Sequence, residues 1–400
     1  MDQRRVTSAD VVIVGGGVMG SAIATFLAGD PAFDGSVVVV ERDPTYRRAS
    51  SALSASSIRQ QFSTPENIRM SRFGFEFLRD IGRRLAVDEP GALPPDAGLI
   101  RRGYLYLVPP GAEATLREVH AIQEAEGVHA AILTPDDLAG RYPWMSLDGV
   151  ALASLGLEGE GWFDGYGLMR AFRRKALSLG VTYVATEVTG IRRSGARIAA
   201  AELDDGSTIA CGALVDAAGP WAATVAAMAA VTLPVEARRR TVFTFEAADP
   251  PVGVPLVIDT SGLWFRPEGE AFIGAMPPPE DDDPPDLPLE ADQRQWDDAV
   301  WPALAARVPA FDAVRRTAAW AGYYEYNTWD HNAILGRHPE VTNLLFANGF
   351  SGHGIQQSPA VGRAIAELIV HGRYVSLDLS VFGYERFAAG RRVEERNVIG

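Results

Sequence analysis

Val11-Val12-Ile13-Val14 runs straight into Gly15-Gly16-Gly17-Val18-Met19-Gly20, and Ser21 to Leu27 continue with apolar residues at helical spacing. A strand, a tight turn and a helix start leave few folds open. Gly15, Gly17 and Gly20 form G-x-G-x-x-G in the setting that gives this pattern its meaning. Gly15 allows the turn, Gly17 lets the backbone approach a pyrophosphate, and Gly20 lets helix and strand pack closely. The phosphates would meet free N–H groups at the positive end of the helix. A second run, Val37 to Val40, ends in Glu41, about 20 residues after the last glycine, where a carboxylate can accept from a ribose diol. This order of features predicts a dinucleotide site formed by Gly15, Gly17, Val18, Met19, Gly20, Glu41 and Arg42.

The length of 400 residues exceeds a usual single core, so two domains are expected. A formal net charge of −14 argues against nucleic acid as partner. No apolar run approaches the ~20 residues of a membrane span; Ala222 to Leu233 is the nearest. Met1 to Arg5 precede the first strand without an apolar signal core, so a cytoplasmic location is expected. Cys211 is the only cysteine, which leaves no disulfide framework and no thiolate metal cluster, and no metal site is expected.

After Glu41 the chain turns polar and small, with Ser50, Ser51 and Ser57 in a loop that can lie along a cofactor. Ser63-Thr64-Pro65-Glu66 reads as a helix start with a capping box from Ser63 to Glu66, and Met70, Phe73, Phe77, Leu78 and Ile81 give that helix an apolar stripe. Prolines and a glycine between Asp88 and Asp96 suggest a linker into another domain. Tyr104 to Val108 reads as a strand and Glu113 to Glu126 as a helix. Pro143-Trp144 and the Gly156 to Gly167 region read as the return to the first domain. A helix through Leu168, Phe172 and Leu179, then strands and a meander to Cys211, lead into Ala213-Leu214-Val215-Asp216-Ala217-Ala218-Gly219-Pro220-Trp221. This buried strand ends in small residues, where Ala218, Gly219 and Trp221 can again approach a ligand or simply form a packed corner. Short strands at meander spacing from Arg238 to Ile273 predict an antiparallel sheet, and Pro277 to Pro288 an irregular loop, a lid or a solvated connection.

The final third repeats the opening theme. Asn343 to Ala347 reads as a buried strand and leads into Gly349-Phe350-Ser351-Gly352-His353-Gly354. Pro359 then reads as opening a helix that ends before Gly372. A glycine turn onto a helix N-terminus suits an electron-rich group such as a reduced flavin ring. One molecule served by two such loops, one near each end of the sequence, suggests FAD better than NAD.

Together these three stretches, with Ser358-Pro359-Ala360-Val361-Gly362, resemble the D-amino-acid oxidase superfamily of flavoproteins, in its sarcosine oxidase and dehydrogenase branch. Ser57 to Ile68 also resembles a bacterial and mitochondrial subgroup that contains a complex I assembly factor. The resemblance implies an α/β Rossmann-like FAD-binding domain (residues 1–90, 160–232 and 325–400) and a mostly antiparallel, α+β substrate domain (91–159 and 233–324). It implies adenosine near Glu41 and Val188, pyrophosphate at Gly15 to Gly20, and flavin near Ser50 to Arg59 and Gly352, His353, Gly354, Ile355 and Gln356. Arg59 matches the arginine that holds the substrate carboxylate in sarcosine oxidases. Gln356 stands where an assisting lysine is found there, and Tyr324 where glycine oxidase has an arginine. Arg266 is then the candidate for a second carboxylate partner. The flavin-linking cysteine would fall near Tyr323, so non-covalent FAD is expected. The oxygen-activating lysine would fall near Phe272. His353 can donate to the flavin or orient its loop, and Tyr323, Tyr324, Tyr326 and Trp329 are core aromatics or a wall around an amine.

The expected activity is hydride transfer from a small, secondary (N-methyl or N-carboxymethyl) amino acid to FAD, followed by hydrolysis of the imine. Electrons would pass to dioxygen or, in a dehydrogenase, to a flavoprotein or quinone. An FAD-binding assembly factor without turnover is the alternative from a different class.

Overall fold

The computed structural model describes residues 6–396; residues 1–5, read above for an export signal, lie outside the described residues. Two eight-stranded sheets carry the fold. In the first, Ser8–Val14 lies between Val37–Glu41 and Thr208–Asp216, all parallel, and Leu344–Asn348 continues the sheet in the same direction. Val11 and Ile13 point into one apolar cluster, Val12 and Val14 into another on the opposite face. Burial on both faces explains why this strand reads as an unbroken apolar run. An antiparallel pair, Val188–Ser194 and Arg197–Leu203, branches from Thr208–Asp216.

Three helices cover one face of this sheet: Val18–Ala28, Gly165–Ser178 and Gly354–His371. The first and last approach so closely that a Cβ on Gly362 would lie 2.8 Å from that of Ala22. The chain's first and last glycine turns are thereby set side by side.

The second sheet runs Val314–Asn327, Val235–Ala247, Ala271–Ala275, Trp264–Glu268, Leu256–Ile258, Tyr104–Val108, Leu152–Gly156, Ala130–Leu133. It is antiparallel except where Leu256–Ile258 meets Tyr104–Val108. Its core is aromatic: Phe272 stacks on Phe245, and both meet Phe311 edge-on. The architecture is a Rossmann-like unit joined to a mostly antiparallel one, as the motif order predicts.

Four local expectations change. Pro143-Trp144 does not yet return to the first unit, because Tyr142, Trp144 and Met145 pack into the core of the second sheet. The strands read on either side of Gly212 are one strand, Thr208–Asp216. Thr64, not Ser63, precedes the Pro65–Arg79 helix, and no side chain of the cap residue bonds to it. Ser63 instead donates its N–H and hydroxyl to Glu395. Pro359 lies inside the Gly354–His371 helix. A proline there leaves the carbonyl four residues earlier without its N–H, and the Ser358 hydroxyl donates to that Ile355 carbonyl at 2.9 Å.

Candidate active site

A cavity of about 550 Å³ runs between the two sheets, and almost every residue singled out in the sequence lines it. At one end stand Gly15, Gly17, Val18, Met19, Glu41, Arg42 and Val188; at the other, Gly352, His353, Gly354, Ile355, Gln356, Arg59 and Tyr324. Ser50, Ser51, Ser57, Ala218, Gly219 and Trp221 line it as well. Gly20 does not, and its role is packing: a Cβ there would lie 1.9 Å from the Gly15 carbonyl oxygen. Gly15 has φ +99°, and a Cβ would meet the Ala217 carbonyl oxygen at 2.4 Å, so the two strand ends meet only without a side chain.

The geometry suits a dinucleotide. The helices that begin at Val18 and Gly354 lack a side-chain cap bond from the residue before them, so apart from the Val18 N–H, which Ser51 Oγ accepts, their first N–H groups are left for an anion. Glu41 Oε2 accepts from Gly16 N–H at 2.7 Å and Oε1 from Asp43 N–H at 2.8 Å, which fixes the carboxylate with lone pairs to spare. Burial pushes Glu41 above the usual carboxylate range, and those two N–H groups oppose the shift. Arg42 stacks on Trp221, 3.8 Å from the ring centre, and builds a flat wall at that end. Ser50 and Ser51, expected in a loop, open a one-turn helix, Ser50–Leu53; Ser51 Oγ accepts from Val18 N–H and Ser50 Oγ donates to the Tyr323 carbonyl, so this serine-rich segment joins the glycine turn to the second sheet.

The other end is built around Arg59. It is 5% exposed, its Nη2 lies 2.8 Å from His353 Nε2, and its Nε has no partner. Burial works against its charge, but the phenols of Tyr106 and Tyr104 and the Glu395 carboxylate outweigh it and raise the pKa. Burial, then Arg59, depress His353 well below its ordinary value, so the imidazole is neutral and its Nε2 accepts from the guanidinium. Gln356, expected where relatives carry a lysine, accepts Arg59 N–H with its Oε1 at 2.8 Å.

Arg266 is not where the sequence reading put it. Its guanidinium donates to the carbonyls of Ala55 and Pro267, pairs with Glu268, lies over Trp162 and does not line the cavity. It braces the serine loop against the second sheet. Phe272 also points away, into the aromatic core. Cys211 is absent from the cavity lining too.

Residues the sequence did not single out are Tyr104, Arg240 and Glu325, all in the cavity wall. Arg240 sits 5.2 Å from the Tyr324 ring centre and pairs with Asp283 through two 2.9 Å bonds, tying the Pro277 to Pro288 loop to the cavity. Glu325 accepts from Gly349 N–H at 3.0 Å, and burial, reinforced by Asp216, pushes it up to about 8. A carboxylate among tyrosines in an apolar strand was the one available signal for it.

A sequence model of the DAO family, described as FAD dependent oxidoreductase, matches residues 10–368. The chain belongs to this family. Its cofactor is FAD, and the two helix ends, Glu41 and the serine loop are the groups that would hold it. Over 98% of its length the chain is 43% identical to FAD-dependent oxidoreductase domain-containing protein 1 of Xenopus laevis, covering 85% of that protein. It is 25% identical to mitochondrial sarcosine dehydrogenase of Mus musculus over 98% of its length, but spans only 43% of that protein. Among solved structures, L-proline dehydrogenase of P. horikoshii superimposes with a TM-score of 0.82 at 25% identity, covering 97% of this chain and 100% of that one. Among the described residues, no helix is long and apolar enough to cross a membrane.

Proposed function

We propose that this flavoprotein oxidises the C–N bond of a small secondary amino acid whose carboxylate is held by Arg59. The observation that carries this reading is a buried guanidinium facing the cavity with its Nε unbonded and no ion pair among the described residues. Burying an unpaired charge is costly, and a carboxylate supplies the missing partner in a two-pronged geometry. Sarcosine and proline, named for two of the similar proteins, are both secondary amino acids, which supports the substrate class.

Bound FAD supplies the two-electron acceptor. The protein's part is placement: Arg59 would fix the carboxylate and Tyr104 and Tyr324 shape the wall, so that a bound substrate is oriented before it reacts, which removes much of the entropic barrier. The amine reacts as the free base, so deprotonation of the bound ammonium is the pH-dependent step, and the neutral His353 adds no competing positive charge. The imine released is hydrolysed by water to an amine and a carbonyl product.

A dehydrogenase is favoured over an oxidase by one feature. Lys175 is the only lysine in the sequence, and it donates to the Ala86 carbonyl away from the cavity. No lysine faces the flavin site to activate oxygen. We also assign residues 1–90, 160–232 and 325–400 to the cofactor unit, and 91–159 and 233–324 to the substrate unit.

The test is anaerobic bleaching of the flavin absorbance by sarcosine, iminodiacetate, proline and D-amino acids. Bleaching by a secondary amino acid is expected; an unbleached flavin across the panel defeats the reading and leaves the non-catalytic alternative. Slow reoxidation in air without stoichiometric peroxide is expected of the dehydrogenase, and rapid peroxide release would contradict it.

A further inference from the structure

The segment from Arg59 to Thr64 lies in no strand or helix, yet its backbone N–H groups are taken in turn by side chains from distant parts of the chain. Arg59 donates to Gln356. Gln60 and Gln61 donate to Glu160 Oε1 at 2.6 and 3.1 Å. Ser63 donates to Glu395 Oε2 at 2.6 Å, and Thr64 to both oxygens of the same carboxylate at 3.2 Å. Phe62 turns back to the Gln60 carbonyl.

The two acids are built in. Glu160 is 1% exposed, and a Cβ on Gly156 would lie 1.7 Å from its carboxylate oxygen, so the fold leaves a glycine to admit it. Gln61 Nε2 donates to its second oxygen at 2.8 Å. Glu395 also accepts from the Ser63 hydroxyl and from Asn67 Nδ2, and Arg396 N–H returns a bond to Ser63 Oγ. The approach is pinned where Val393 N–H donates to Asp330 and its carbonyl accepts from Asn332. Both acids act electrostatically on Arg59, yet neither is within ion-pair reach of its guanidinium.

We propose that Glu160 and Glu395 are positioning residues, a pair of carboxylates that lock the Arg59 loop from either side and so hold its guanidinium toward the cavity without neutralising it by direct contact. A carboxylate bonded to the guanidinium itself would compete with the substrate. Bonded to the loop backbone, it fixes the arginine and leaves its Nε–H free. The proposal rests on the reading that Arg59 receives a substrate carboxylate.

The test uses the FAD-bound protein, with hydrogen exchange of the 59–64 amides and two probes of one shape, 2-furoate and 2-furamide, followed by the flavin spectrum. Glu395→Ala is expected to speed exchange through the whole segment, Arg59 included, and to weaken 2-furoate about tenfold with 2-furamide and FAD affinity unchanged, while Glu395→Gln restores most of both. Glu160→Ala is expected to act in the same direction from the other side. Exchange confined to Ser63 and Thr64 with 2-furoate unaffected, equal weakening of both probes, or tighter 2-furoate would overturn the proposal. A wild-type protein that fails to prefer 2-furoate to 2-furamide removes the carboxylate reading of Arg59, and the exchange pattern still decides the lock.

Discussion

Arg59 and Glu325 show how burial sets the chemistry of single side chains in this cavity. Replacing Arg59 by methionine removes a buried cation that has no ion pair among the described residues, and the expected outcome is a ~100-fold weaker carboxylate ligand, about 2.7 kcal/mol, with FAD content unchanged. Lysine in its place is expected to recover little, because it lacks the planar fork. Spectral titration with 2-furoate reads both. Glu325 ionises near 4.5 in an unfolded chain and at about 8 in the fold. Between those values the unfolded chain binds fewer protons, so stability falls as pH rises through this window and levels off above it, by up to ~1.4 kcal/mol per pH unit. Denaturant midpoints measured from pH 5 to 8 are expected to decline, and Glu325→Gln to flatten the decline. Glu160, pushed up to about 7 by burial, adds the same sign over a shorter range. Arg59 could be picked out in the sequence because it follows a serine loop in a recognisable string. Arg240, Glu160 and Glu395 could not, since each acts only through residues brought to it by folding.

At the scale of elements, the two glycine turns were legible because the information is local: strand, glycine, helix, with no long-range partner needed to read it. The same locality misled at Pro359, where a usual helix opener is carried inside the helix by the Ser358 hydroxyl. Ser358→Ala is expected to leave the Ile355 carbonyl buried without a donor and to cost about 1–3 kcal/mol by chemical denaturation. Gly20→Ala drives a methyl group into the Gly15 carbonyl. Overpacking of this kind typically costs ~1–3 kcal/mol, and because it opens the turn it is expected to release FAD as well, seen as loss of flavin absorbance after gel filtration. The short helix Pro135–Arg141 is not legible in the sequence because two turns carry too little periodicity to stand out. Arg266 was misplaced for a different reason: strand position says which side a residue leaves from, but not that Ala55 and Glu268 will occupy its guanidinium.

For the whole molecule, the cavity lies between the sheets and takes its walls from both, so the cofactor is expected to stabilise the entire fold. FAD at 100 times its dissociation constant should add about 2.7 kcal/mol, and thermal unfolding with and without added FAD measures it. A melting temperature indifferent to FAD would contradict this placement. The order of strands in the first sheet has a further cost, paid before the protein exists as such. Ser8–Val14 gains one neighbour, Val37–Glu41, almost at once, but the other, Thr208–Asp216, is made roughly 200 residues later, ~10–40 s at ordinary rates of synthesis. Through that interval one edge of a strand whose last four residues are all apolar and buried in the finished fold is open on the ribosome, where holdase chaperones would find an early and sticky target.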